Sequence, residues 1–468
     1  MSNLTRRQIL RWGLVGIGGM ALAACAPQAQ PTQEAPKTEP TKEVPKEATA
    51  AQQAPAGVIT LRFMTRQGDM GAAQREFATR YANESNGKIA VESEDTDWNE
   101  IPKKLETQIV SGTMVDNVVM DTAFWPYFAR RGTFLVIEDL VANAKIDLTK
   151  WFNIDWMRRW SNGKLSGLGE RAGINQIITF YNADWVADAW GKEPTDDWTM
   201  DDYVECMAAC VKKKGKGFFG GNNAIGGGHV ADGWIRNWGG FYMDAEGKKS
   251  LFAEEKCVTG LKWLRDQVKN GNYPGREEGA EGENKMFFGG KQAMIISNPG
   301  ATTGMLAGAA ANKINLKMCL APKGPSAFET PPRRAFIGYA NCEGINAKTK
   351  YPNEAFGLLT RVTSVEAMKW IVLTKGSQPG AVLDSWTDPE IVAKYPIFPK
   401  VAELLKQYKD VFPVPGNTRY IEHRDIGNNE IPPLIYGDKE LNDANINTVN
   451  DHLQEILDLP EPKSWGAK

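Results

Sequence analysis

The chain is poor in cysteine and histidine, with six and three residues respectively among 468. An odd number of cysteines follows Cys25, which does not suit a complete disulfide framework: Cys206, Cys210, Cys257, Cys319 and Cys342. Cys206 and Cys210 are four residues apart in a helical pattern and fall on one face, which predicts buried thiols. The histidines have no ligand spacing, so the sequence indicates no metal site.

The chain also lacks an excess of charge of either sign. It has 55 Lys and Arg against 57 Asp and Glu, a formal net charge of −2 and a pI near 6.1. This balance gives no electrostatic reason to expect a nucleic acid as partner. Beyond the N-terminal segment, no apolar run is long enough to cross a hydrocarbon core of about 30 Å. The sequence therefore predicts neither a nucleic-acid partner nor a later membrane span.

What is present at the N-terminus is an export signal. Arg6 and Arg7 form the paired guanidiniums of a receptor-read address. Residues 12–24 are apolar and broken by glycines, and the run is too short to span a bilayer, which predicts a removable segment. The run closes on small residues before Cys25, as in a lipoprotein processing site. We expect residues 1–24 to be a twin-arginine lipoprotein signal peptide and Cys25 to be lipidated.

Residues 25–57 follow as a tether. After Cys25 the segment consists of Pro, Thr, Glu, Lys, Gln and Ala with almost no large apolar side chain, so it cannot bury enough surface to fold. A coil of this length reaches roughly 30 Å. The prediction is a domain outside the cytoplasm, beside a membrane and attached by lipid alone. Because twin-arginine export carries folded chains, we expect the fold to form without disulfides.

Tryptophan is abundant, with 15 residues. Broad aromatic rings stack on the apolar faces of sugars, so this number favours a carbohydrate ligand. The alternative is that most of these rings pack in the core or at interfaces.

The first part of the folded region has an alternating α/β pattern. Short β-rich runs predict strands at 58–64, 89–93 and 118–120. Apolar residues at helical spacing predict helices through Ala73, Phe77 and Tyr81 and through Ile101, Leu105 and Ile109. This order predicts parallel strands with right-handed crossovers. Ligands of such sheets bind beyond the carboxyl ends of the strands, which here are 66–69, 95–98 and 121–125.

One of these strand ends nearly matches a calcium loop. Asp95, Asp97, Asn99 and Glu106 stand at its first, third, fifth and twelfth positions. The sixth position requires glycine for a sharp turn, and Glu100 stands there instead. We therefore predict a strand end and a helix start, without a metal.

A second α/β set follows, beginning with a strand at 176–181. Helical periodicity recurs near residues 261–268, 355–359, 401–408 and 449–457. Breaks rich in Gly or Pro lie at 163–169, 331–338 and 376–380. Three breaks between α/β patterns suit two lobes joined by several chain crossings.

Several stretches in this order resemble one known family. They are Trp98 with Ser111-Gly112-Thr113, the strand Ile178–Asp184, the turn Pro194–Trp198, Trp238-Gly239-Gly240, and, most specifically, Phe287–Met294. From about Val58 onward the chain resembles the extracellular solute-binding proteins of ABC importers, in the group of maltose-binding protein. The resemblance implies an α/β, two-lobed periplasmic-binding-protein fold of type II (Venus-flytrap) with three hinge crossings. The expected lobes are 58–165 with 338–378, and 166–337 with 379–468.

The resemblance also implies where a ligand binds. Cleft residues expected from it are Gln67, Asp69, Trp98, Asp121, Trp125, Tyr181, Asn182, Trp238, Asn298 and Trp386. Tryptophan rings would stack on a sugar, while Asp and Asn would bind hydroxyls. Two departures bear on the ligand. Ser297-Asn298-Pro299-Gly300 stands where the family usually has an aromatic, and Arg171 can form a salt bridge or meet an acidic sugar.

The function implied is capture of a carbohydrate and its delivery to an ABC permease, by a monomer with neither cofactor nor catalytic residue. Two alternatives stay open. The same fold can bind a polyamine, a peptide or a polyol, and a secreted glycan hydrolase would need two carboxylates about 5–10 Å apart across the cleft. Paired aromatic platforms would support a sugar, and a cluster of carboxylates around a slot would support a polyamine.

Overall fold

A computed structural model of the chain describes residues 57–222, 231–325, 334, 337–407 and 416–465. The predicted signal peptide, Cys25 and the tether up to residue 56 lie outside these ranges. No helix within them is both long enough and apolar enough to cross a membrane. The five cysteines after Cys25 are buried thiols, as predicted for Cys206 and Cys210.

The described residues form two sheets. Their strands are β1 (Ile59–Arg66), β2 (Ile89–Thr96), β3 (Asn117–Asp121), β4 (Gly167–Asn175), β5 (Ile178–Asn182), β6 (Met294–Ser297), β7 (Leu316–Leu320) and β8 (Ile337–Ile345). The larger sheet has the order β2-β1-β3-β8-β4 and the smaller the order β6-β5-β7. In the larger sheet β1 is parallel to β2 and β3, whereas β8 is antiparallel to β3 and β4.

Helices cover both sheets. Within the described ranges they are α1 (Ala72–Glu84), α2 (Ile101–Ser111), α3 (Trp125–Ala129), α4 (Glu138–Asn143), α5 (Ile154–Trp160), α6 (Ala183–Trp190), α7 (Met200–Lys214), α8 (Asp232–Arg236), α9 (Glu255–Lys269), α10 (Arg276–Gly279), α11 (Glu283–Phe288), α12 (Thr302–Ala311), α13 (Pro352–Val362), α14 (Val365–Lys375), α15 (Pro389–Lys394), α16 (Phe398–Gln407), α17 (Tyr420–Tyr436) and α18 (Asp443–Leu457).

The first lobe is built on the larger sheet with α1–α5, α13 and α14. Its predicted strands are confirmed, and β1 buries Leu61, Phe63 and Met64 between helices. Phe77 of α1 and Leu105 of α2 are fully buried, which confirms the helical spacing. Because α1 and α2 each return the chain to a parallel neighbour, the carboxyl ends of β1, β2 and β3 meet at one edge.

The second lobe is built on the smaller sheet with α6–α12, α17 and α18. Side chains of β5 alternate between two core clusters. Ile178 and Phe180 belong to a cluster continuous with the first lobe, whereas Tyr181 belongs to a second cluster that includes residues of α7, α9, α17 and α18. Burial on both faces explains why the consecutive residues Phe180 and Tyr181 are both large and aromatic.

The boundary between the lobes differs from the prediction. The Gly-rich run after residue 166 is β4, which pairs along its length with β8 in the larger sheet. The lobe boundary therefore falls after Asn175, not after Leu165. Glycine is required at Gly167, because an added Cβ would lie 2.3 Å from the Glu343 carbonyl oxygen and 2.6 Å from the Trp125 ring. The chain crosses at Gln176, whose φ of 55° marks a tight turn between β4 and β5.

The segment after the third crossing also differs from the prediction. Residues 381–405 contribute Ala381, Trp386 and Phe398 to the core cluster that the first lobe shares with one face of β5. The Phe152 amide donates to the Ala381 carbonyl at 3.1 Å, which attaches the segment to that lobe. The Tyr395 hydroxyl is hydrogen-bonded to Thr303 Oγ1 of α12 at 2.7 Å, so the segment contacts both lobes, and the buried side chains of α17 and α18 then join the second cluster.

Candidate functional site

A polar cavity of about 600 Å³ lies where the strand ends of the first lobe meet the second lobe. Its lining residues come from three places. The first lobe and the crossings provide Arg66, Met70, Trp98, Asp121, Thr122, Ala123, Arg171, Asn175, Ile337, Tyr339, Asn341, Ser377 and Gln378. The second lobe provides Asn298, Gly300, Ala301, Tyr420, Arg424 and Asn428. The volume suits a small-molecule ligand.

Trp98 and Arg66 form one wall. Arg66 is the last residue of β1, paired with Thr96 of β2, and its guanidinium lies 4.5 Å from the centre of the Trp98 ring. Trp98 is half-buried, packs partly against the core and contributes to the lining of the cavity. A guanidinium over an indole is a favourable cation–π arrangement, which holds both groups in place.

Asp121 ends β3 and lines the cavity. Its Oδ1 accepts from the Ala123 amide at 2.8 Å, which fixes the carboxyl at the start of the turn. Burial raises the pKa of Asp121 above its usual range, while the amide of Ala123 and the charge of Arg424 act in the opposite direction. Asp121 is therefore the lining carboxylate that faces guanidinium groups across the cavity.

Arg171 lies on β4, at the floor of the cavity, and is 7% exposed. Its Nη1 donates to Ser377 Oγ at 3.2 Å and contacts Met70 Sδ at 3.4 Å. Among the residues that the structure describes, no carboxylate oxygen forms an ion pair with it within 4.0 Å. The neighbouring Glu170 carboxyl is held elsewhere, accepting from Gln74 Nε2 at 3.0 Å.

Polar residues of the crossings connect the two hinge strands. Gln378 Nε2 donates to the Ala172 carbonyl at 3.2 Å, and the Tyr339 hydroxyl is hydrogen-bonded to Gln378 Oε1. Gly173 allows this approach, since a Cβ there would lie 2.9 Å from Gln378 Nε2. Burial raises the pKa of Tyr339, so its hydroxyl stays protonated.

The second lobe closes the cavity with two elements. Asn298, Gly300 and Ala301 follow β6 through a single 3₁₀ turn at Pro299–Ala301. Tyr420, Arg424 and Asn428 recur every four residues on one face of α17. Both lobes therefore offer hydrogen-bonding groups to one shared cavity.

Three of the ten expected cleft residues line this cavity: Trp98, Asp121 and Asn298. Gln67 and Asp69 follow the correct strand but are exposed beside it. Gln67 Nε2 lies 3.4 Å from the Asp95 carbonyl oxygen, and Asp69 pairs with Lys375 Nζ at 2.9 Å. The turn after β1 thus directs Arg66, rather than Gln67 or Asp69, toward the cavity.

Three expected tryptophans lie in the core, away from the cavity. Trp125 is fully buried, donates from Nε1 to Ser161 Oγ at 3.1 Å and stacks on Phe134. Trp386 is fully buried and donates to the Gly380 carbonyl at 2.8 Å. Trp238 packs at 5.0 Å from Trp263. With their faces covered by protein, these rings offer no stacking surface to a solute.

Tyr181 and Asn182 lie at the carboxyl end of β5, which is the end away from the cavity. The strand starts at the cavity and runs away from it, so its carboxyl end is distant from the crossings. Tyr181 is buried and its hydroxyl contacts Glu193 Oε2 at 3.3 Å. Asn182 caps α6, accepting from the Trp185 amide at 3.1 Å. Both residues have structural partners there.

Sequence reasoning missed most of the cationic and hinge residues. Arg66 was detectable, because it is the first residue of the predicted strand-end segment 66–69. Arg424 was not, because α17 contains Pro432 and Pro433, which normally exclude a helix interior. Ser377 and Gln378 come from a segment that looks like a break in the sequence, and Tyr339 directly follows another. Their role depends on the crossings, which only the folded chain brings together.

Two α/β lobes enclosing a polar cavity at their crossings define a solute-binding protein. The chain matches the family of bacterial extracellular solute-binding proteins over residues 76–400, more than half of its length, and it belongs to that family.

Solved structures support the fold. The sugar-binding protein MalE from Xanthomonas citri superimposes with a TM-score of 0.73 at 17% identity, over 85% of this chain and 97% of that one. An ABC substrate-binding protein from Listeria monocytogenes in complex with cycloalternan gives 0.67 at 18%, over 85% and 98%. A cyclic α-maltosyl-1,6-maltose binding protein from Arthrobacter globiformis gives 0.68 at 17%, over 86% and 99%. These likenesses confirm the two-lobed architecture.

Proposed function

We propose that the protein captures a carbohydrate between its lobes and delivers it to the transmembrane subunits of an ABC importer. The observation that carries the proposal is the cavity itself, lined from both lobes by polar groups and, on the first lobe, by the aromatic side chain of Trp98. Tyr339 and Tyr420 add aromatic surface. Membership of the family and structural neighbours that are described as sugar-binding proteins point the same way.

The lining favours a sugar over the alternatives. Within the described part of the chain, Asp121 is the single carboxylate that lines the cavity, facing three arginines. A polyamine slot would need several carboxylates, and a glycosidase would need a pair. The excess of positive charge in the cavity would repel a polyamine. The described lining residues also lack the pair of carboxylates that a glycosidase requires. We therefore propose binding without turnover.

The mechanism we propose is a ligand-dependent shift between open and closed lobes. A solute that contacts Trp98 on the first lobe and Asn298 on the second binds the closed form better than the open one. Such differential affinity is what moves the equilibrium. The crossings near Gln176 and Gln378 provide the hinge, and the permease would recognise the closed monomer.

We propose that Cys25 anchors the protein to a membrane. The twin-arginine pair and the small residues before Cys25 support this on the sequence. The intact mass of the protein purified from membranes should match an acylated chain beginning at Cys25. A Cys25→Ser variant should leave the membrane fraction, and its retention there would overturn the proposal.

The function is tested by thermal unfolding of the purified protein with mono- and oligosaccharides, polyols, amines and peptides. Binding at 100 times Kd stabilises by about 2.7 kcal/mol, which raises Tm measurably. We expect a shift with one class of sugar and no consumption of it. A shift with amines or peptides alone would overturn the carbohydrate proposal, and consumption of a glycan would overturn the receptor role.

A further inference from the structure

The cavity has an unusual balance of charge. Among the lining residues that the structure describes, Arg66, Arg171 and Arg424 stand against a single carboxylate, that of Asp121. The three guanidiniums come from three different elements: the end of β1, the hinge strand β4 and helix α17. A cluster assembled from both lobes differs from a charged patch on one solvated face, because closure brings its members around the same volume.

Arg171 is the most informative of the three. A guanidinium that is 7% exposed needs a counter-charge or several hydrogen bonds, since burying a lone charge is costly. Within the described part of the chain its side chain contacts Ser377 Oγ and Met70 Sδ, both through Nη1, and neither group carries a negative charge. The other N–H groups of the fork make no hydrogen bond to a described residue, which leaves them available for an anion in the cavity.

Arg66 and Arg424 add positive charge to the same cavity. Arg66 is stacked on Trp98, and burial followed by the charge of Arg171 lowers the pKa of Arg66. Repulsion between two guanidiniums is relieved when an anion binds between them. Arg424 has a buried Nε without a hydrogen-bond partner among the described residues, while its Nη2 donates to Asp425 at 3.3 Å.

Two acids beside these arginines, Asp121 and Glu170, contribute little negative charge. Burial raises the pKa of both Asp121 and Glu170, which disfavours their charged forms. Glu170 is hydrogen-bonded to Gln74. The cavity therefore keeps an excess of positive charge in a partly desolvated site, where it acts strongly.

We infer that the solute is an anionic carbohydrate, whose carboxylate or phosphate group is bound by Arg66, Arg171 and Arg424 while its ring stacks on Trp98. This inference rests on the proposed function and narrows its ligand class. Planar guanidinium forks match carboxylate and phosphate oxygens in pairs, which a neutral sugar cannot use. An anion that also contacts Arg424 of the second lobe favours lobe closure.

Matched ligands provide the first test. Isothermal titration compares the uronate, the parent hexose and the hexose 6-phosphate of the gluco, galacto and manno series, with the uronate di- and trisaccharides and their neutral counterparts. The anionic member can form charge-assisted hydrogen bonds with the arginines that its neutral parent lacks. We therefore expect it to bind roughly 10- to 100-fold more tightly than the parent. Its affinity should also fall as salt rises. Preference for the uronate or for the phosphate identifies the anionic group.

Each other result decides against the inference. Equal or tighter binding of the neutral sugars overturns it and leaves the carbohydrate receptor intact. Silence toward every sugar, neutral and anionic, overturns the inference and the proposed function together. Acetate or inorganic phosphate binding as tightly as the sugar acids also overturns it, because the ring would then contribute nothing.

Variants provide the second test. We expect Arg171→Gln and Arg424→Gln each to weaken binding of the anionic sugar roughly 10- to 100-fold and to change binding of its neutral parent little. Arg171→Lys, which keeps the charge but not the fork, should recover part of the loss. Arg276→Gln is the matched control, since Arg276 is exposed and pairs with Asp438 away from the cavity. Equal losses for charged and neutral sugars would indicate a merely structural role.

The unliganded Tm of each variant separates folding from binding. Arg171 lies on a hinge strand, so its replacement can disturb the crossings. Arg424 is on the accessible face of α17 and its side chain is 26% exposed. If Arg171→Gln does not fold, the comparison of charged and neutral sugars with Arg424→Gln still decides the inference.

Discussion

Glu343 lies fully buried on β8, and neither of its carboxylate oxygens has a hydrogen-bond partner among the described residues. Burial, and after it the neighbouring Glu170, raise the pKa of Glu343 well above its usual range. An unpaired charge in such a place would be costly, so the folded protein holds this carboxyl protonated. The protonation state of Glu343 therefore makes the stability of the hinge strands depend on pH.

The sign of its effect on stability follows from linkage. An acid whose folded-state pKa is raised binds a proton on folding, so its favourable contribution is complete below the unfolded pKa and is lost as pH rises through the folded pKa. We expect this contribution to decline as pH rises above the unfolded pKa of a glutamate, so Tm should fall with pH in the parent relative to Glu343→Gln. Calorimetry as a function of pH measures both slopes. Parallel slopes would contradict a protonated Glu343.

At the same scale, individual cleft residues were hard to predict. The sequence correctly places the candidate edge of the sheet, because the carboxyl ends of β1, β2 and β3 do line the cavity. It does not determine which residue of a turn points inward. Arg66 faces the cavity while Asp69, three positions later, pairs with Lys375 outside it. Such choices depend on turn geometry and on partners from distant segments.

Among the elements, β4 explains both the missed strand and the shifted lobe boundary. Its glycines resemble a break, since a strand covered on both faces shows no alternation of polar and apolar residues. The structure gives these glycines a packing role, because β8 and the Trp125 ring approach the backbone closely at Gly167. By contrast, helices α1, α2, α9 and α13 carry clear helical periodicity and were predicted correctly.

Gly167→Ala should therefore destabilise the pairing of β4 with β8. The added Cβ would lie 2.3 Å from the Glu343 carbonyl oxygen, which belongs to backbone and cannot rotate away. Overpacking of this kind costs roughly 1–3 kcal/mol, so we expect a lower Tm. Calorimetric unfolding of the purified protein measures it.

Gly304→Ala is the matched control for that change. Gly304 lies inside helix α12, and a Cβ there meets nothing within 4 Å. Alanine in a helix interior is favoured over glycine by about 0.5–1 kcal/mol, so this variant should be as stable as the parent or more so. Similar losses in both variants would refute the packing argument for β4.

On the scale of the whole molecule, the C-terminal segment adds a fourth connection between the lobes. Helix α18 packs in the second lobe, but the chain beyond it returns to the first. There the Trp465 ring lies 3.3 Å from the Arg131 guanidinium, and its Nε1 donates to Thr133 Oγ1 at 2.7 Å. Arg131 Nε also donates to the Lys463 carbonyl at 2.8 Å. The three crossings and this segment together set how the lobes are held.

Because one indole supplies most of these contacts, Trp465→Ala should release the C-terminal segment from the first lobe. Loss of the cation–π contact and the hydrogen bond, each worth about 1 kcal/mol, leaves few interactions to hold it. Local detachment exposes the backbone to proteases at a low free-energy cost. We therefore expect trypsin to cleave after Lys463 faster in the variant, and intact-mass measurement over time gives the rate of this cleavage.

Leu459→Ala is the control, because it changes an exposed position of the same segment, and it should leave the cleavage rate unchanged. An unaltered rate in Trp465→Ala would mean that the segment is held by contacts other than its tryptophan.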